Sequence, residues 1–304
     1  MNICILSRGP QLYSTQSLVS AGTRRGHLMQ VVNHMNCDLL IEKDAPQIVC
    51  EGYLLDGFDA VIPRIGSSVT TVGAAVIRHF EMLEVFTTIS AEGLIQSRNK
   101  LQALQTLARQ GIDVPKTVFA RMDCDLDYLL DYVGGLPVVI KLLESTHGIG
   151  VILAESRNQA EATLETLQRL RGSVLIQEFI REAQGADSRA IVIDGEIVAS
   201  MERKARKGEF RSNLHRGASS RKVALTAEES ELIIRATQLM GLQIAGVDLL
   251  RSNRGPLIME INASPGLEGI EATTEVDVAG LIIAFIEKQV NLSHASKSAA
   301  NFYP

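Results

Sequence analysis

Residues 257–266 read Leu-Ile-Met-Glu-Ile-Asn-Ala-Ser-Pro-Gly, an apolar run that is interrupted by two polar residues, Glu260 and Asn262. The apolar residues predict a strand, and the Ser-Pro-Gly sequence predicts that the strand ends there. Side chains two positions apart lie on the same face of a strand, so this carboxylate and this carboxamide share a face. Two oxygen-bearing side chains on one face of a mostly apolar strand indicate a ligand site.

The run at 247–251 is expected to form an antiparallel hairpin with this strand, through a five-residue loop at 252–256. In that register Asp248 lies opposite Glu260, with Cβ atoms about 4.5–5.5 Å apart. Two facing carboxylates raise each other's pKa unless a cation lies between them, and no cation is near in the sequence. Oxygen-only ligands favour Mg²⁺ or Mn²⁺, so Asp248, Glu260 and Asn262 are candidate metal ligands. The alternative is a surface hairpin with solvated acids.

The composition excludes several classes of protein. The chain has 304 residues, which at roughly 150 per domain predicts about two domains, and its net charge of −5 provides no basic field for nucleic acid or anionic membranes. No apolar run approaches the roughly 18 residues that span a bilayer, and the N-terminus shows no signal sequence. Four cysteines without metal-ligand spacing predict free thiols. We therefore expect a cytoplasmic protein that binds neither membrane nor nucleic acid directly.

The order of strand-like and helix-like segments predicts a fold of the α/β plus α+β class. Alternating segments over residues 1–95 predict a Rossmann-like, doubly wound parallel sheet, although no G-x-G-x-x-G follows its first strand. Residues 96–182 predict a second unit with a glycine-containing loop. Residues 183–290 predict antiparallel hairpins and two helices, and residues 291–304 are expected to form a flexible tail.

A metal held by few carboxylates usually implies substrate phosphates that complete its coordination shell. Lys141 follows a buried strand and precedes Gly148 and Gly150, where backbone amides can approach a phosphate closely. Lys100 lies in the first turn of a helix that Ser97 is expected to cap, and a cation there opposes the helix dipole. The alternative for Lys141 is an ordinary lysine at the end of a strand.

Two further segments suit a nucleotide. Glu178 and Phe179 leave a strand, and such an edge can offer backbone hydrogen bonds and an apolar wall to a purine; the alternative is an ordinary strand end. The polar, basic loop at 203–222 is predicted to contact an oxyanion-rich ligand rather than nucleic acid, because few aromatic residues accompany its charges. The residues of that loop with this role are Arg211, Ser212 and Asn213.

Together these motifs resemble the ATP-grasp superfamily and, more narrowly, the RimK-type glutamate ligases. The resemblance covers essentially the whole chain and implies a Rossmann-like pre-ATP-grasp domain, then a two-lobed ATP-grasp domain with lobes at 96–182 and 183–290. The segments that carry it are 5–8, 62–66, 107–113, 177–178, 210–217, 245–248 and 260–269. With the glycine loop, it implies that ATP contacts Lys100, Lys141, Gly148, Gly150, Glu178, Phe179, Asp187, Arg211, Ser212 and Asn213.

Arg189 and Arg203 flank a predicted hairpin that turns at Asp194 and Gly195, and they are candidate catalytic residues. We expect one or both to hold substrate carboxylates or an acyl phosphate. A simple two-residue hairpin would put them on opposite faces, so a bulge or a division of labour is required. The alternative is a structural ion pair with a neighbour such as Glu202.

The resemblance also implies a reaction. A carboxylate attacks the γ-phosphate of ATP in the presence of two Mg²⁺ or Mn²⁺ ions, and L-glutamate displaces phosphate from the acyl phosphate to form an amide. The implied acceptor is the C-terminus of a small-subunit ribosomal protein, and a homo-oligomer is expected. Other ATP-grasp ligases, acting on a small amino acid, a carrier protein or free glutamate, are the alternative. A silent nucleotide-binding regulator and a ribosome-associated binding protein are less consistent with the residues.

Overall fold

The computed structural model describes residues 1–121, 124–143, 150–169 and 172–300. Within these ranges the strands form four sheets. No helix in the same ranges is long and apolar enough to cross a membrane. The cysteines Cys4, Cys37, Cys50 and Cys124 are free thiols, as predicted.

The N-terminal part is built around a parallel sheet. Its elements are β1 (Asn2–Leu6), α1 (Tyr13–Arg24), β2 (Leu28–Val32), β3 (Cys37–Leu40), β4 (Gln47–Cys50), β5 (Tyr53–Leu54), β6 (Ala60–Pro63), α2 (Thr70–Met82) and β7 (Phe86–Thr87). The parallel strands follow the order β2-β1-β6-β7, which confirms the predicted doubly wound arrangement. Because β6 is buried throughout, it reads as a continuous apolar run. A small antiparallel sheet, β3-β4-β5, is an addition that sequence analysis did not predict.

The central part contains a four-stranded sheet in the order β10-β9-β11-β8. Its elements, with the two helices that precede it, are α3 (Ala91–Arg98), α4 (Lys100–Arg109), β8 (Thr117–Ala120), α5 (Leu126–Tyr132), β9 (Val138–Leu142), β10 (Val151–Ala154), α6 (Arg157–Arg169) and β11 (Val174–Glu178). The predicted cap at Ser97 is wrong, because two helices replace the one expected. Ser90 and Asn99 cap them with side-chain oxygens, and Lys100 is the first residue of α4.

The C-terminal part contains a five-stranded antiparallel sheet in the order β14-β13-β12-β15-β16. Its elements are β12 (Ala186–Ile193), β13 (Glu196–Lys204), β14 (Ser219–Lys222), α7 (Ala227–Leu239), β15 (Ile244–Ser252), β16 (Gly255–Asn262), α8 (Glu268–Thr274) and α9 (Val278–Ala300). Strand β14 forms the end of the segment that was predicted as a loop at 203–222. Residues 291–300, predicted as part of a flexible tail, continue helix α9.

Two different packing arrangements connect these parts. The central sheet, with α5 and α6, has a hydrophobic core of its own. The N-terminal sheet and the C-terminal sheet instead share two cores, and α1 packs against α9. The central sheet is therefore a separate lobe beside a continuous body that holds the other two parts together. The domain boundaries at 95/96 and 182/183 stay predictions.

Candidate active site

A cavity of about 890 Å³ lies where the three parts meet. Its walls come from the loops after β1 and β6, from α4, from the central sheet and from strands β12, β13, β15 and β16. Two predicted site residues are not among those that line the cavity. Gly148 lies outside the described residues, and Gly150 borders β10 with φ +69°. The predicted site residues that line the cavity are Lys100, Lys141, Glu178, Phe179, Asp187, Arg189, Arg203, Arg211, Ser212, Asn213, Asp248, Glu260 and Asn262.

The hairpin of β15 and β16 brings two carboxylates together, as predicted, but through a different turn. Ser252 pairs with Gly255, so the connection has two residues rather than the predicted five. A register shift follows, because Asp248 pairs with Glu260 while the next residue, Leu249, pairs with Ile258. This bulge on β16 restores the register that the longer loop would have produced. Asp248 and Glu260 therefore face each other at the cavity.

Asp248 is buried, with 2% of its surface exposed, and two arginines from neighbouring strands contact it. Arg189 donates to both carboxylate oxygens, at 2.7 and 2.6 Å, and Arg203 lies 3.1 Å from Oδ2. The cations near Asp248 are therefore supplied by the sheet, from strands that are remote in the sequence. Burial by itself would raise the pKa of Asp248, but the two guanidinium groups outweigh burial and lower it.

Arg189 and Arg203 lie on the same face because the hairpin of β12 and β13 contains a bulge. The pairing shifts between Ile191 and Val192, so Arg189 pairs with Met201 and Asp187 pairs with Arg203. Arg203 donates to both oxygens of Asp187, at 2.7 and 2.6 Å. Both arginines form ion pairs, as the alternative expected, but with Asp248 and Asp187. The carboxylate of Glu202 contacts Arg221 and Arg251 instead.

The donors present fit a hard divalent cation. The candidate ligand set, Asp248, Glu260 and Asn262, comprises two carboxylates and one carboxamide. No group of three or more His, Cys, Asp or Glu that could hold a metal occurs in the described ranges. Glu260 accepts no hydrogen bond from the described part of the chain, and Asn262 lies two residues further along β16. Asp248 keeps acceptor capacity, since a carboxylate offers about four lone-pair sites. Oxygen donors of this kind suit Mg²⁺ or Mn²⁺.

Two buried lysines face this set. Lys141 Nζ donates to Gln177 Oε1 at 2.6 Å, and Gln177 Nε2 donates to Thr117 Oγ1 at 2.8 Å. Burial lowers the pKa of Lys141 to about 8, although the charges of Glu260 and Asp248 oppose this shift. Burial also lowers the pKa of Lys100, whose Nζ donates to the carbonyl of Leu143 at 3.2 Å. Both lysines suit the binding of phosphate, which would replace the solvation they have lost.

The loop after β13 is anchored to both lobes. Arg211 donates to both carboxylate oxygens of Glu209 and, at 3.3 Å, to the carbonyl of Val151 in the central lobe. The hydrogen bonds from Arg211 lower the pKa of Glu209 to about 2. Ser212 Oγ donates to Asp187 Oδ2 at 2.5 Å. The carboxylate of Asp187 is thus held by Arg203 and Ser212.

Apolar residues from the central and C-terminal parts line part of the cavity. Strand β11 ends at Glu178, so the chain at Phe179 leaves the sheet ladder beside this region. The Glu178 carboxylate contacts Arg254 and accepts a hydrogen bond from the amide of Lys116 at 2.6 Å. Its side chain therefore supports a segment that lines the cavity. The apolar residues that line the cavity include Val139, Leu175, Ile180, Leu250 and Met259.

Sequence analysis missed several polar residues of the cavity wall: Arg8, Arg64, Arg98 and Gln177. Arg64 directly follows the buried strand β6, at the carboxyl end of a parallel strand. Ligands of open α/β sheets bind at such ends, so this position carried a usable signal. Gln177 follows three buried apolar residues of β11, and its position in the sequence carried no such signal.

Comparison with known proteins explains this geometry. The family model described as the RimK PreATP-grasp domain matches residues 1–94, and the model described as the RimK-like ATP-grasp domain matches residues 97–286. The chain belongs to the RimK-like ATP-grasp family. The resemblance inferred from the motifs is thereby confirmed.

Curated relatives of this RimK-like chain carry ligase names. It is 54% identical over 293 residues to "Probable alpha-L-glutamate ligase 2" of Shewanella frigidimarina, which covers 96% of this chain and 98% of that protein. It is 51% identical over 288 residues to "Probable alpha-L-glutamate ligase" of Hydrogenovibrio crunogenus, with 95% and 96% covered. This RimK-like protein is therefore an ATP-dependent ligase that joins a carboxylate to an amine.

Solved structures share the fold at low sequence identity. The ATP-grasp ligase PsnB complexed with minimal precursor, Mg and ADP superposes with a TM-score of 0.74 at 18% identity, covering 95% of this chain and 98% of that one. D-alanine–D-alanine ligase from Bacillus anthracis complexed with ATP gives a TM-score of 0.71 at 16% identity, with 98% and 99% covered. The predicted fold, a pre-ATP-grasp domain followed by an ATP-grasp domain, is confirmed.

Proposed function

We propose that this ligase uses ATP and a divalent cation to join L-glutamate to the C-terminal carboxylate of a small-subunit ribosomal protein. The observation that carries the proposal is the pairing of Asp248 with Glu260 in one cavity with Lys100 and Lys141. Relatives named alpha-L-glutamate ligases support glutamate as the amine. The acceptor rests on the motif resemblance. We expect the activity in the cytoplasm and in a homo-oligomer.

The nucleotide would lie along the cavity from its apolar residues to its charged residues. The backbone at Glu178 and Phe179 would face adenine, and Lys100 and Lys141 would neutralise the phosphates. Arg211, Ser212 and Asn213 would cover the phosphates from the other side. Mg²⁺ or Mn²⁺, held by Asp248, Glu260 and Asn262, would offset the negative charge of the phosphates when bound.

The reaction would proceed in two displacements. An oxygen of the acceptor carboxylate attacks the γ-phosphorus, the bond to the ADP oxygen breaks, and ADP leaves. The amine of glutamate then attacks the acyl carbon, loses a proton, and releases inorganic phosphate as the amide forms. Phosphoryl transfer requires mainly positioning and charge neutralisation, so no nucleophile from the chain is needed.

The two candidate catalytic arginines would have different roles. Arg203 is held by Asp187 and Asp248, and only 4% of its side chain is exposed, so it would act as a positioning residue. The side chain of Arg189 is 19% exposed and lines the cavity beside Asp248. Arg189 is therefore the arginine that we expect to contact the substrate carboxylate or the acyl phosphate.

Mass spectrometry of candidate acceptors, incubated with ATP, Mg²⁺ and glutamate, tests this proposal. We expect mass increments of one glutamyl residue on the small-subunit ribosomal protein, and none on a matched acceptor whose C-terminus is amidated. Increments on free glutamate alone would replace the acceptor by a small amino acid. Absence of glutamate-dependent ADP release with every acceptor would refute the proposed amine.

A further inference from the structure

The N-terminal sheet has a crevice that the proposed function leaves without a role. Strand β1 has β2 on one side and β6 on the other, so the strand order reverses between β1 and β6. Open α/β sheets bind ligands outside the carboxyl ends of their strands at such a reversal. Leu6 pairs with Pro63 at these carboxyl ends. The crevice between the two strands is therefore a position where a ligand is expected.

This crevice opens toward the metal-ligand strand. The loop that follows β16 lies against it, because Ser264 Oγ donates to the carbonyl of Pro63 at 3.2 Å and Arg64 donates to the carbonyl of Pro265 at 2.7 Å. The cavity that holds Glu260 also includes Arg8, Arg64 and their neighbours. A ligand in the crevice would therefore lie in the same cavity as the reacting groups.

Three arginines line this crevice, and we call them the crevice arginines: Arg8, Arg64 and Arg98. Arg8 follows β1 and reaches the turn after β6, where its Nη2 donates to Ser68 Oγ at 3.3 Å. A Cβ at Gly66 would lie only 3.3 Å from the same nitrogen, so the glycine leaves room for the guanidinium. Arg98, at the end of α3, donates to the carbonyl of Ile65 at 2.5 Å.

The crevice arginines contact neutral groups: a hydroxyl and two backbone carbonyls. No salt bridge joins any of them to a carboxylate within the described ranges. The Nε atom of Arg98 is buried and has no hydrogen-bond partner there. Burial and the charge of Arg98 together lower the pKa of Arg64 to about 10. Although the charge of Glu260 acts on Arg98, a site with three guanidinium groups and a vacant donor suits an anion.

The planar fork of arginine fits a carboxylate bidentately, and the sequence lacks the glycine pattern that would indicate a dinucleotide here. Glutamate has two carboxylates, of which an amide-forming ligase activates at most one. We propose that the crevice arginines bind the second carboxylate of a glutamyl unit, the one that does not react, and so select an acidic substrate. This inference rests on the proposed function and names the residues behind its selectivity.

Kinetics with charge-matched substrates test the inference. ADP release is measured with glutamate or glutamine as the amine and with acceptor peptides that end in Glu or Gln. Arg8→Gln and Arg98→Gln should each reduce the preference for the acidic substrate about ten- to hundredfold, because a charge-assisted hydrogen bond is lost. The KM for ATP should stay unchanged. Arg24→Gln, an exposed arginine paired with Asp277 outside the cavity, is the matched control.

Each outcome decides the inference. A reduced preference among amines assigns the crevice to the incoming glutamate, and a reduced preference among acceptor peptides assigns it to the acceptor terminus. An unchanged preference in both variants, or an equal loss for acidic and amide substrates, overturns it. Arg8 is exposed, so its variant should fold even if the Arg98 variant does not.

Direct binding separates this inference from the proposed function. Calorimetric titration with glutarate, which has two carboxylates and no amine, requires no turnover. We expect wild-type protein to bind glutarate and Arg8→Gln to bind it at least about tenfold more weakly. Absence of glutarate binding, or equal affinity in wild type and variant, contradicts the crevice. Absence of glutamate-dependent ADP release with glutarate binding intact contradicts only the proposed function.

Discussion

The cavity contains two groups of arginines that differ in their partners. The paired arginines, Arg189 and Arg203, are held by the carboxylates of Asp187 and Asp248 on strands β12 and β15. The crevice arginines at the ends of β1 and β6 contact only a hydroxyl and backbone carbonyls within the described ranges. Both groups line the same cavity of about 890 Å³.

The difference shows that being an arginine in this cavity does not by itself define a role, because the role depends on the partners of the guanidinium group. Where carboxylates are built into the neighbouring strand, the guanidinium groups are neutralised, and breaking a pair leaves a buried charge. Where the contacts within the described ranges are a hydroxyl and carbonyls, the guanidinium groups stay available to pair with an anionic ligand. The first arrangement stabilises the fold and positions the site, and the second provides affinity for an anion.

Glu260 lies between these groups, and its removal should have the largest effect. Its charge acts on Arg98 on one side and on Lys100 and Lys141 on the other. Glu260→Ala should reduce glutamate-dependent ADP release by about 10³-fold or more, since a metal ligand is worth several kcal/mol of transition-state stabilisation. The free energy of unfolding should change by about 1 kcal/mol or less, because the half-buried carboxylate accepts no hydrogen bond from the described residues.

The control for this variant is Glu231→Ala, which removes an exposed carboxylate from α7, remote from the cavity. Its ADP release should equal that of wild type. Wild-type turnover in Glu260→Ala would refute the metal-ligand assignment, whereas an equal loss in both variants would point to a general effect of charge.

Asp248→Ala should have the next largest effect, and it acts on stability. It removes the carboxylate that pairs with Arg189 and one of the two that hold Arg203, so we expect the free energy of unfolding to fall by about 3–5 kcal/mol. Arg98→Met should change it by about 1 kcal/mol or less, because that guanidinium forms no ion pair with a carboxylate in the described part of the chain. Urea denaturation of both variants measures the difference. Equal losses would abolish the distinction between paired and crevice arginines.

The pH dependence of ATP binding is a smaller effect that probes the lysines between the two groups. Burial lowers the pKa of Lys141 to about 8, so the lysine is charged at pH 7 and loses its proton as the pH rises. We expect the KM for ATP to increase several-fold between pH 7 and pH 9. Lys141→Arg should flatten this increase, since arginine stays protonated. A KM that rises equally in wild type and Lys141→Arg would contradict the role of Lys141.

Much of the fold follows from local signals. Alternating strands and helices predicted the parallel N-terminal sheet, and the capping box at Thr226 and Glu229 predicted the start of α7. Errors occurred where one local signal resembled another. Ser97 looked like a cap because it precedes an amphipathic helix, but Ser90 and Asn99 cap two shorter helices. The tail at 291–300 is polar and small, yet helix α9 continues to Ala300.

The candidate site was found because period-two alternation keeps Glu260 and Asn262 on one face of β16, whatever the turn. Its details depended on contacts between strands that are far apart in the sequence. The bulge in the β12–β13 hairpin turns Arg189 to the face of Arg203, and the bulge in the β15–β16 hairpin compensates for a two-residue turn. Bulges respond to the twist and packing of the whole sheet, which a single strand does not encode.

The sequence by itself determined the fold class, the oxygen-rich face of β16 and several of the residues that bring charge to the cavity, because strand periodicity and residue chemistry are local properties. Only the tertiary structure decided which charges meet. It gave Asp248 two arginines from other strands, and it placed Arg8, Arg64 and Arg98 at a sheet reversal where their contacts within the described ranges are a hydroxyl and carbonyls. Electrostatic energy falls with distance, and those distances are set by strand order and register, which form only when the sheets assemble.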